Sequence, residues 1–236
     1  MGHTLPMCDS GRVIKVVSFF KRREGLSVED FQQHWRTLHA DLVTQLPGIR
    51  RYIQNHTLPS GYTKKEPDFD GVAEAWFDDT QALRVSGASE AYRAVKADEE
   101  NFIRASSIAS VLTNEIVILE GLVPPDPVKM IAFLNKLPEI PVDRFQTYWR
   151  NSHGPLASKI PGLLRYVQCH THWGIYDAGR TPVYDGVPIS YFADLEAMSL
   201  AGGSEEYEAT RADETNFMIS GRLPFVIAKE VEIPLL

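Results

Sequence analysis

The chain contains two copies of one sequence. The segment FQQHWRTLHADLVTQLPGIRRYIQNHT begins at Phe31 and recurs at Phe145 as FQTYWRNSHGPLASKIPGLLRYVQCHT, at a constant shift of 114 residues. Farther along, pairs such as Asp98 and Asp213 match at a shift of 115, so the second copy carries one additional residue. Each copy has the length of an ordinary domain and is far longer than a solenoid repeat. The repeat therefore predicts two homologous domains.

A proline-rich segment marks the boundary between the copies. The run LVPPDP at residues 122–127 restricts the backbone and favours extended conformations. We place the first domain at residues 1–122 and the second at residues 123–236. Because so short a linker holds the domains close together, we expect them to pack through a pseudo-twofold interface, as the subunits of a homodimer do.

Composition limits the partners and the compartment. Of the 236 residues, 44% are hydrophobic and 23% are charged, which is typical of a globular protein. The net charge of −7 argues against nucleic acid or an anionic membrane as a partner. Cys8 and Cys169 lie at non-equivalent positions, which favours free thiols in a reducing compartment. Because the N-terminal segment resembles neither a signal peptide nor a membrane span, the sequence predicts a cytoplasmic protein.

Hydrophobic periodicity predicts four strands and two helices in each copy. The strands of the first copy are predicted at residues 12–20, 49–58, 71–77 and 111–119. One helix begins after Ser27, and a second runs from about Asp79 to about Ile103. This order is that of the ferredoxin-like βαββαβ fold, which leaves one sheet face without helices. We therefore predict an α+β protein in which two ferredoxin-like domains pack sheet to sheet as an intramolecular pseudo-dimeric α+β barrel.

The second strand carries the same polar residues in both copies. Side chains of a strand alternate between two faces, so residues at every second position share a face. The repeated set is Tyr52, Gln54 and His56 in the first copy and Tyr166, Gln168 and His170 in the second. Because a face that only packs is usually aliphatic, we predict that this polar face points into the barrel and that Ile53 and Val167 lie under the helices.

Four motifs together resemble the EthD family of the dimeric α+β barrel superfamily. They are a Trp-Arg-x-x-His helix at residues 35–39 and 149–153, the Pro-Gly pair that ends it, the Arg-Tyr-x-Gln-x-His strand, and an Asp-Gly-Val sequence that opens the third strand. The resemblance implies a substrate pocket in each half, usually without a metal or organic cofactor. It does not fix the reaction, because the superfamily includes cyclases, decarboxylases, isomerases, quinone-forming monooxygenases and haem-handling proteins.

The candidate catalytic residues lie in the first copy. His56 and Glu74 fall on adjacent predicted strands and could share a cavity as an acid/base pair. His39 could be a second proton donor or acceptor, and Tyr52 could hold an enol or phenol oxygen. The alternative for His56 is a packed imidazole bonded to Gln54, and the alternative for His39 is an imidazole that caps helix carbonyls.

Further residues are predicted to bind substrate on the same grounds. They are Gln54, Trp76, His153, Tyr166, Gln168, His170 and Tyr191. Arg36 could bind a substrate carboxylate, although an ion pair with Asp98 or Glu99 is the favoured interpretation. No metal site is predicted, and the absence of GxGxxG, Walker and GxSxG motifs favours chemistry without a nucleotide cofactor.

The sequence favours a cofactor-independent enzyme that uses acid/base chemistry on a small aromatic, lactone or polyketide-like substrate. The reaction would be an isomerisation, elimination, decarboxylation or cyclisation, so the enzyme would be a lyase or isomerase of a catabolic pathway. Two alternatives stay open: a non-catalytic carrier accessory to an oxygenase in degradation or biosynthesis, and a cofactor-free monooxygenase or haem binder. The expected partner is a small molecule, with further homodimerisation of the pseudo-dimer left open.

Overall fold

The computed structural model describes residues 13–235, and each copy contributes the elements of one ferredoxin-like unit. The first copy contains β1 (Ile14–Phe20), α1 (Val28–His34), a π-helical turn (Trp35–His39), α2 (Ala40–Val43), β2 (Ile49–Thr57), β3 (Gly71–Phe77), α3 (Thr80–Gly87), α4 (Glu90–Phe102) and β4 (Ala109–Leu119). The second copy contains β5 (Val128–Ala132), α5 (Val142–Tyr148), a π-helical turn (Trp149–His153), α6 (Gly154–Ala157), β6 (Arg165–Thr171), α7 (Trp173–Asp177), β7 (Gly186–Phe192), α8 (Leu195–Ala201), α9 (Glu205–Asp213) and β8 (Phe225–Ile233).

The strands form one closed barrel. Their order around it is β1-β3-β2-β8-β5-β7-β6-β4, and every neighbouring pair is antiparallel. Two of these pairs join the copies: β2 with β8, where Tyr52 lies opposite Ile233, and β4 with β6, where Thr113 lies opposite Thr171. The predicted α+β barrel is confirmed, and the two sheets meet edge to edge so that neither keeps a free edge.

The interior of the barrel contains an apolar core supplied by both copies. Its fully or nearly fully buried members include Val17, Phe19, Val72, Val111, Ile131, Phe133, Val167, Val187, Ile189 and Val226. Cys169 is a free thiol in the same core, whereas Cys8 lies outside the described residues. Burial of this core covers the sheet face that each copy would expose alone, which explains why the two copies stay together.

Serine and aspartate side chains set where the helices begin. The hydroxyl of Ser27 accepts a hydrogen bond from the Asp30 amide at 3.0 Å, as the sequence predicts. The single helix predicted between Asp79 and Ile103 is wrong, because the chain forms α3 and α4 there. The Ser89 hydroxyl donates to the Ser86 carbonyl at 2.6 Å and accepts from the Tyr92 amide at 3.1 Å, so it ends one helix and begins the next.

The helix α7 distinguishes the second copy from the first. It occupies the place of a short 3₁₀ turn, Pro59–Tyr62, in the first copy. Two hydrogen bonds hold it in place: the Tyr176 hydroxyl donates to Asp185 at 2.6 Å, and the His172 amide donates to the Leu112 carbonyl of β4 at 2.8 Å. The second bond ties α7 to a strand of the other copy.

Across residues 13–235, none of the helices has the length and apolar character needed to cross a membrane.

Candidate functional site

The polar face of the second strand of each copy packs against the helices. This corrects the prediction that it points into the barrel. Ile53 and Val167 project into the barrel interior instead, and Val167 is part of the barrel core. In the first copy, Tyr52 and Gln54 both reach the π-helical turn, where they contact Trp35. The polar residues are needed on this side because the wide turn presents an indole N–H and a backbone carbonyl that require hydrogen-bond partners.

A chain of hydrogen bonds links these residues in both copies. In the first, the Trp35 indole donates to the Tyr52 hydroxyl at 2.9 Å, and the Gln54 amide donates to the Trp35 carbonyl at 2.7 Å. His56 Nε2 lies 3.0 Å from the Gln54 carbonyl oxygen. The same three bonds recur in the second copy at 3.2, 2.8 and 2.9 Å, among Trp149, Tyr166, Gln168 and His170. The repeated motif is thus a connected network around the tryptophan.

His56 lies behind the tryptophan ring. Its ring centroid is 4.5 Å from that of Trp35, and its Nδ1 is buried without a hydrogen-bond partner in the described part of the chain. Burial, with a smaller contribution from the positive charge of Arg36, lowers the pKa of His56 to about 3. His170 has the same surroundings. Both imidazoles are therefore neutral packed groups that line neither of the cavities described below.

Glu74 lies in the barrel interior, on the opposite face of the sheet from His56. Its carboxylate pairs with Lys129 at 2.7 Å and with Lys15, and Asn55 donates to it at 2.9 Å. Although burial opposes ionisation, the two ammonium charges outweigh it and hold the pKa of Glu74 well below its usual value. The prediction that His56 and Glu74 share a cavity is wrong, because residues 56 and 74 project to different sides of their hairpin.

Trp76 and Tyr191 contact the two lysines that pair with Glu74 in the barrel interior. The Lys15 ammonium lies 4.6 Å from the centre of the Trp76 ring, and the Lys129 ammonium lies 4.9 Å from the centre of the Tyr191 ring. Lys15 and Lys129 occupy equivalent positions in the two copies, whereas Ile189 replaces Glu74 in the second. These aromatic residues stabilise buried cations and lie apart from the cavities under the helices.

A cavity of the first copy lies between the sheet and its helices. It has a volume of about 560 Å³. Most of its wall is apolar or aromatic, including Phe20, Trp35, Leu46, Phe77, Ile103 and Leu112. Its ionisable and phenolic groups include His39, Tyr52, Tyr92, Lys96 and Glu99. The structure thus brings together His39 and Tyr52 of the predicted catalytic set and leaves His56 and Glu74 elsewhere.

His39 is held by a carboxylate. Its Nδ1 lies 2.9 Å from Asp98, which also binds His34 Nε2 at 2.9 Å and accepts from Asn101 at 3.1 Å. Burial disfavours the charge on Asp98, but the bonds from Asn101, His39 and His34 outweigh it and lower its pKa. An ionised carboxylate only accepts, so His39 carries its proton on Nδ1. Burial lowers the pKa of His39, partly offset by Asp98, which leaves a neutral ring with a lone pair on Nε2.

The Tyr52 hydroxyl has a proton available for a ligand. Its oxygen accepts from the Trp35 indole and, at 3.4 Å, from the Gln54 amide, and its own O–H has no acceptor within residues 13–235. Burial raises the pKa of Tyr52 to about 12, although those two hydrogen bonds oppose the change. The phenol therefore stays protonated at neutral pH, and its donor can serve an oxygen in the cavity.

A carboxyl group lies in the same cavity. Partial burial raises the pKa of Glu99, against the opposing effect of its ion pair with Lys96. A hydroxyl pair, Ser18 and Ser110, whose oxygens are 2.7 Å apart, adds polar groups to the wall. The cavity thus combines a neutral imidazole, a phenol and a carboxyl of raised pKa within apolar walls, which is the equipment of general acid/base catalysis.

The second copy has an equivalent but smaller cavity of about 270 Å³. It contains His153 and Tyr166, and Asp213 holds the imidazole at 2.9 Å. The carboxyl of Glu214 pairs with Arg211 at 2.7 Å. Tyr148 takes the place of His34 and donates its hydroxyl proton to Asp213 at 2.7 Å. Of the predicted substrate-binding residues, His153 and Tyr166 line this cavity, while Gln168 and His170 lie behind Trp149.

The first cavity is completed by the second copy. Ile175 of α7 contributes to its wall, although the rest of the lining comes from residues 16–112. The lining residues of the second cavity, by contrast, all lie between Met130 and Phe225. The additional helix therefore shapes the larger cavity and gives the two cavities different surroundings.

The sequence analysis missed the carboxylates that orient the imidazoles. The sequence favours an ion pair of Arg36 with Asp98 or Glu99, but Asp98 binds His34 and His39 instead. The available signal was its exact repetition as Asp213, together with the histidine that is repeated in the preceding helix. No spacing rule connects two helices that are about 60 residues apart, so the pairing became visible only in the fold.

Among the described residues, no group of three or more His, Cys, Asp and Glu side chains is arranged to hold a metal ion.

Comparison with known proteins agrees with the internal repeat. The family model of the EthD domain matches residues 23–106 and 137–220. Together these ranges cover more than half of the chain. No curated protein sequence matches it.

Solved structures of low sequence identity share the fold. An anthrone oxidase-like protein has a TM-score of 0.67 at 10% identity, over 94% of this chain and 92% of that one. A protein from Fusobacterium nucleatum subsp. nucleatum, proposed to be a monooxygenase, has a TM-score of 0.60 at 8% identity, over 97% and 98% of the two chains. A mutant chlorite dismutase from Candidatus Nitrospira defluvii has a TM-score of 0.56 at 11% identity, over 95% and 93%. At these identities the likeness shows the fold.

Proposed function

This chain belongs to the EthD family, and we propose that its first cavity removes a proton from a carbon activated by a carbonyl group in an aromatic or polyketide-like substrate. The observation that carries the proposal is the neutral His39 imidazole, oriented by Asp98 and placed in one cavity with the free O–H of Tyr52. Isomerisation, elimination, decarboxylation and cyclisation of such substrates can all pass through the resulting enolate.

His39 is the general base. Because Nδ1 donates to Asp98 at 2.9 Å, the Nε2 lone pair is the one that remains for a substrate proton. Transfer of a proton to Nε2 makes the ring a cation, and the Asp98 carboxylate next to it stabilises that charge. Asp98 thus acts on the reaction through His39, as a positioning residue.

Tyr52 stabilises the oxygen on which negative charge develops. Two donors already bind its oxygen, which orients the O–H and strengthens it as a donor. A donor fixed in advance at the site of developing charge lowers the energy of the enolate. Removal of such a donor typically costs about 10²–10³ in rate. Glu99, whose pKa is raised by burial against the opposing charge of Lys96, lies in the same cavity and could relay a proton to another atom.

The size of the cavity supports a polycyclic substrate. Its 560 Å³ falls within the usual range of about 300–1,000 Å³ for sites that take drug-sized ligands. Aromatic side chains from the sheet and the π-helical turn, Phe20, Trp35 and Phe77, form part of the wall. Flat fused rings match such a surface, because they bury apolar area and stack on neighbouring rings.

A cofactor-free monooxygenase is the second candidate. The similarity in fold to an anthrone oxidase-like protein favours it. Anthrone and one O₂ give anthraquinone and one water: the methylene carbon loses both hydrogens and gains one oxygen, and the second oxygen leaves in the water. Loss of the first proton from that methylene gives a carbanion that can react with O₂ directly, so both candidates begin with the same proton transfer to His39.

Anthrone tests the shared step and separates the candidates. Without O₂, in D₂O, we expect the protein to accelerate exchange of the methylene protons, followed by proton NMR. With O₂ present, formation of anthraquinone and uptake of O₂ identify a monooxygenase, whereas exchange without uptake identifies enolisation alone. Stoichiometric binding of anthrone without exchange in either condition contradicts the proposal and favours a carrier.

The matched variants are His39→Ala and His153→Ala. Loss of a general base costs roughly 10²–10⁴ in rate, so His39→Ala should abolish most of the exchange. His153→Ala changes the equivalent residue of the other cavity and should leave the exchange intact. Equal losses in the two variants would place the reaction in both cavities and would contradict the assignment to the first.

A further inference from the structure

The second cavity has its own unused hydrogen-bond donor. The Tyr166 oxygen accepts from the Trp149 indole at 3.2 Å and from the Gln168 amide at 3.4 Å, and within residues 13–235 nothing accepts the proton of its O–H. Tyr166 is only 4% exposed. A buried donor of this kind favours a ligand that brings an oxygen acceptor into the cavity.

Larger side chains line this cavity than line the first. Met130 and Phe225 occupy the positions of Val16 and Ser110, so larger side chains fill part of the space. This explains why the volume is about 270 Å³ instead of 560 Å³. An apolar cavity of about 150 Å³ accepts benzene, so at the same looseness of fit the second cavity suits one substituted ring, and the first, at twice the volume, suits three fused rings.

Sulfur atoms make the site suitable for an aromatic ring. Met130 and Met218 both line the cavity, together with the ring of Trp149. The first copy has Val16 and Ile103 at the two methionine positions. Thioether groups gain energy from contact with aromatic rings and adapt their shape to them, so the wall favours an aromatic over an aliphatic ligand.

We propose that the second cavity is a separate ligand site, which binds a single-ring aromatic carbonyl compound with its oxygen accepting from Tyr166. The Ser190 side chain, where the first copy has Ala75, provides an additional hydroxyl in the same cavity. The proposal concerns binding alone and does not depend on the reaction assigned to the first cavity. It implies that one chain holds two ligands of different size.

The protein carries a natural reporter in each cavity, because Trp35 lines the first and Trp149 lines the second. Labelling with 5-fluorotryptophan gives four fluorine resonances, one for each of the four tryptophans. The probes are acetophenone, which has one ring, and anthraquinone-2-sulfonate, which has three. We expect acetophenone to shift the Trp149 resonance saturably, and we expect the three-ring probe to shift the Trp35 resonance while the Trp149 resonance stays in place.

The matched variants are Tyr166→Phe and Tyr52→Phe. A hydrogen bond contributes about 0.5–1.5 kcal/mol, so Tyr166→Phe should weaken acetophenone binding at the Trp149 resonance by roughly three- to tenfold. In Tyr166→Phe, the shift of the Trp35 resonance by anthraquinone-2-sulfonate should be unchanged, which also shows that the variant is folded. Tyr52→Phe should leave the Trp149 response unchanged.

Three results would overturn the proposal. They are a Trp149 resonance that acetophenone does not move up to its solubility limit, an equal response of Trp149 to the three-ring probe, and undiminished binding in Tyr166→Phe. The first two deny the site or its size selection, and the third denies the role of the phenol. None of them bears on proton exchange at the first cavity, so this proposal and the proposed function can fail separately.

Discussion

The histidines of the repeated motif show how surroundings decide the role of a residue. His39 and His56 are both buried, and burial lowers the pKa of each. His56 donates to Gln54, and its other nitrogen is enclosed, whereas His39 lines the first cavity. The same side chain is thus a packing element in the strand and a candidate base in the helix.

The first prediction concerns the pH dependence of the exchange reaction. His39 acts as a base only when neutral, so the rate falls as pH drops through its pKa. Since that pKa lies below the usual 6.5, we expect a constant rate from pH 8 to below 6.5 and a loss only at more acidic pH. Asp98→Asn removes the charge that opposes this lowering, so the acidic limb should move to still lower pH while the maximal rate decreases. A limb at or above pH 6.5 in the parent protein would contradict the assignment of His39.

The second prediction concerns acid unfolding. The pKa values of His56 and His170 are lowered to about 3 in the folded state, whereas they are near 6.5 when unfolded. Both rings therefore stabilise the fold fully above pH 6.5, and this contribution is lost as pH falls toward 3. Between pH 5.5 and 4.5, before most carboxylates titrate, each should contribute a slope approaching about 1.4 kcal/mol per pH unit.

Urea unfolding at several pH values measures that slope. His56→Gln retains an amide donor but does not titrate. It should therefore reduce the slope by up to about 1.4 kcal/mol per pH unit, the contribution of one proton, and the matched His170→Gln should do the same. A slope that is unchanged in both variants would mean that the imidazoles are protonated in the folded state.

At the scale of the elements, the strand bounds were predictable from the sequence, whereas the π-helical turns were not. Alternation and turn residues predicted β3 at its observed bounds and β2 to within one residue. The assignment of the faces failed because alternation tells which residues share a side and not which side faces the core. Tyr52 and Gln54 are polar because a π-helical turn next to them needs partners, and neither residue spacing nor composition revealed that turn.

The third prediction tests this dependence. Gln54→Leu leaves the Trp35 carbonyl and the His56 Nε2 donor without their partner, so the free energy of unfolding should decrease by about 1–3 kcal/mol. Gln168→Leu should cost a similar amount in the second copy. Because the two networks share no residue, the double variant should lose the sum within about 0.5 kcal/mol. Chemical denaturation measures all three, and a loss in either single variant below 0.5 kcal/mol would contradict the role of the glutamines.

At the scale of the whole molecule, the repeat predicted the barrel, whereas the site depends on contacts between distant parts of the chain. Duplication and a bare sheet face were sufficient for the architecture, because both follow from the order of the elements. The ion cluster around Glu74 and the wall contributed by Ile175 join segments from different copies. Contacts of that kind depend on how β2 meets β8 and β4 meets β6, which no local pattern encodes.

The fourth prediction concerns the two proposed domains produced as separate chains, residues 1–122 and 123–236. Each alone would expose an apolar sheet face and the edge strands that the barrel normally pairs. We expect each to associate or precipitate alone, and we expect a mixture of the two to form a one-to-one complex. Analytical ultracentrifugation and circular dichroism measure this, and a folded, monomeric single half at micromolar concentration would contradict it.

The position of the Glu74 carboxylate restricts which pairs of half-barrels can assemble. It lies between Lys15 and Lys129, two equivalent lysines that also pair with the equivalent Glu115 and Glu230, and it is the one anion of this cluster without a counterpart in the other copy. Rotational symmetry cannot supply an odd number of anions between two identical subunits: two first halves would bring two such glutamates, and two second halves, with Ile189 in its place, would bring none. The arrangement is therefore accessible only to unlike partners, and tandem duplication in a single chain guarantees that each barrel contains one of each.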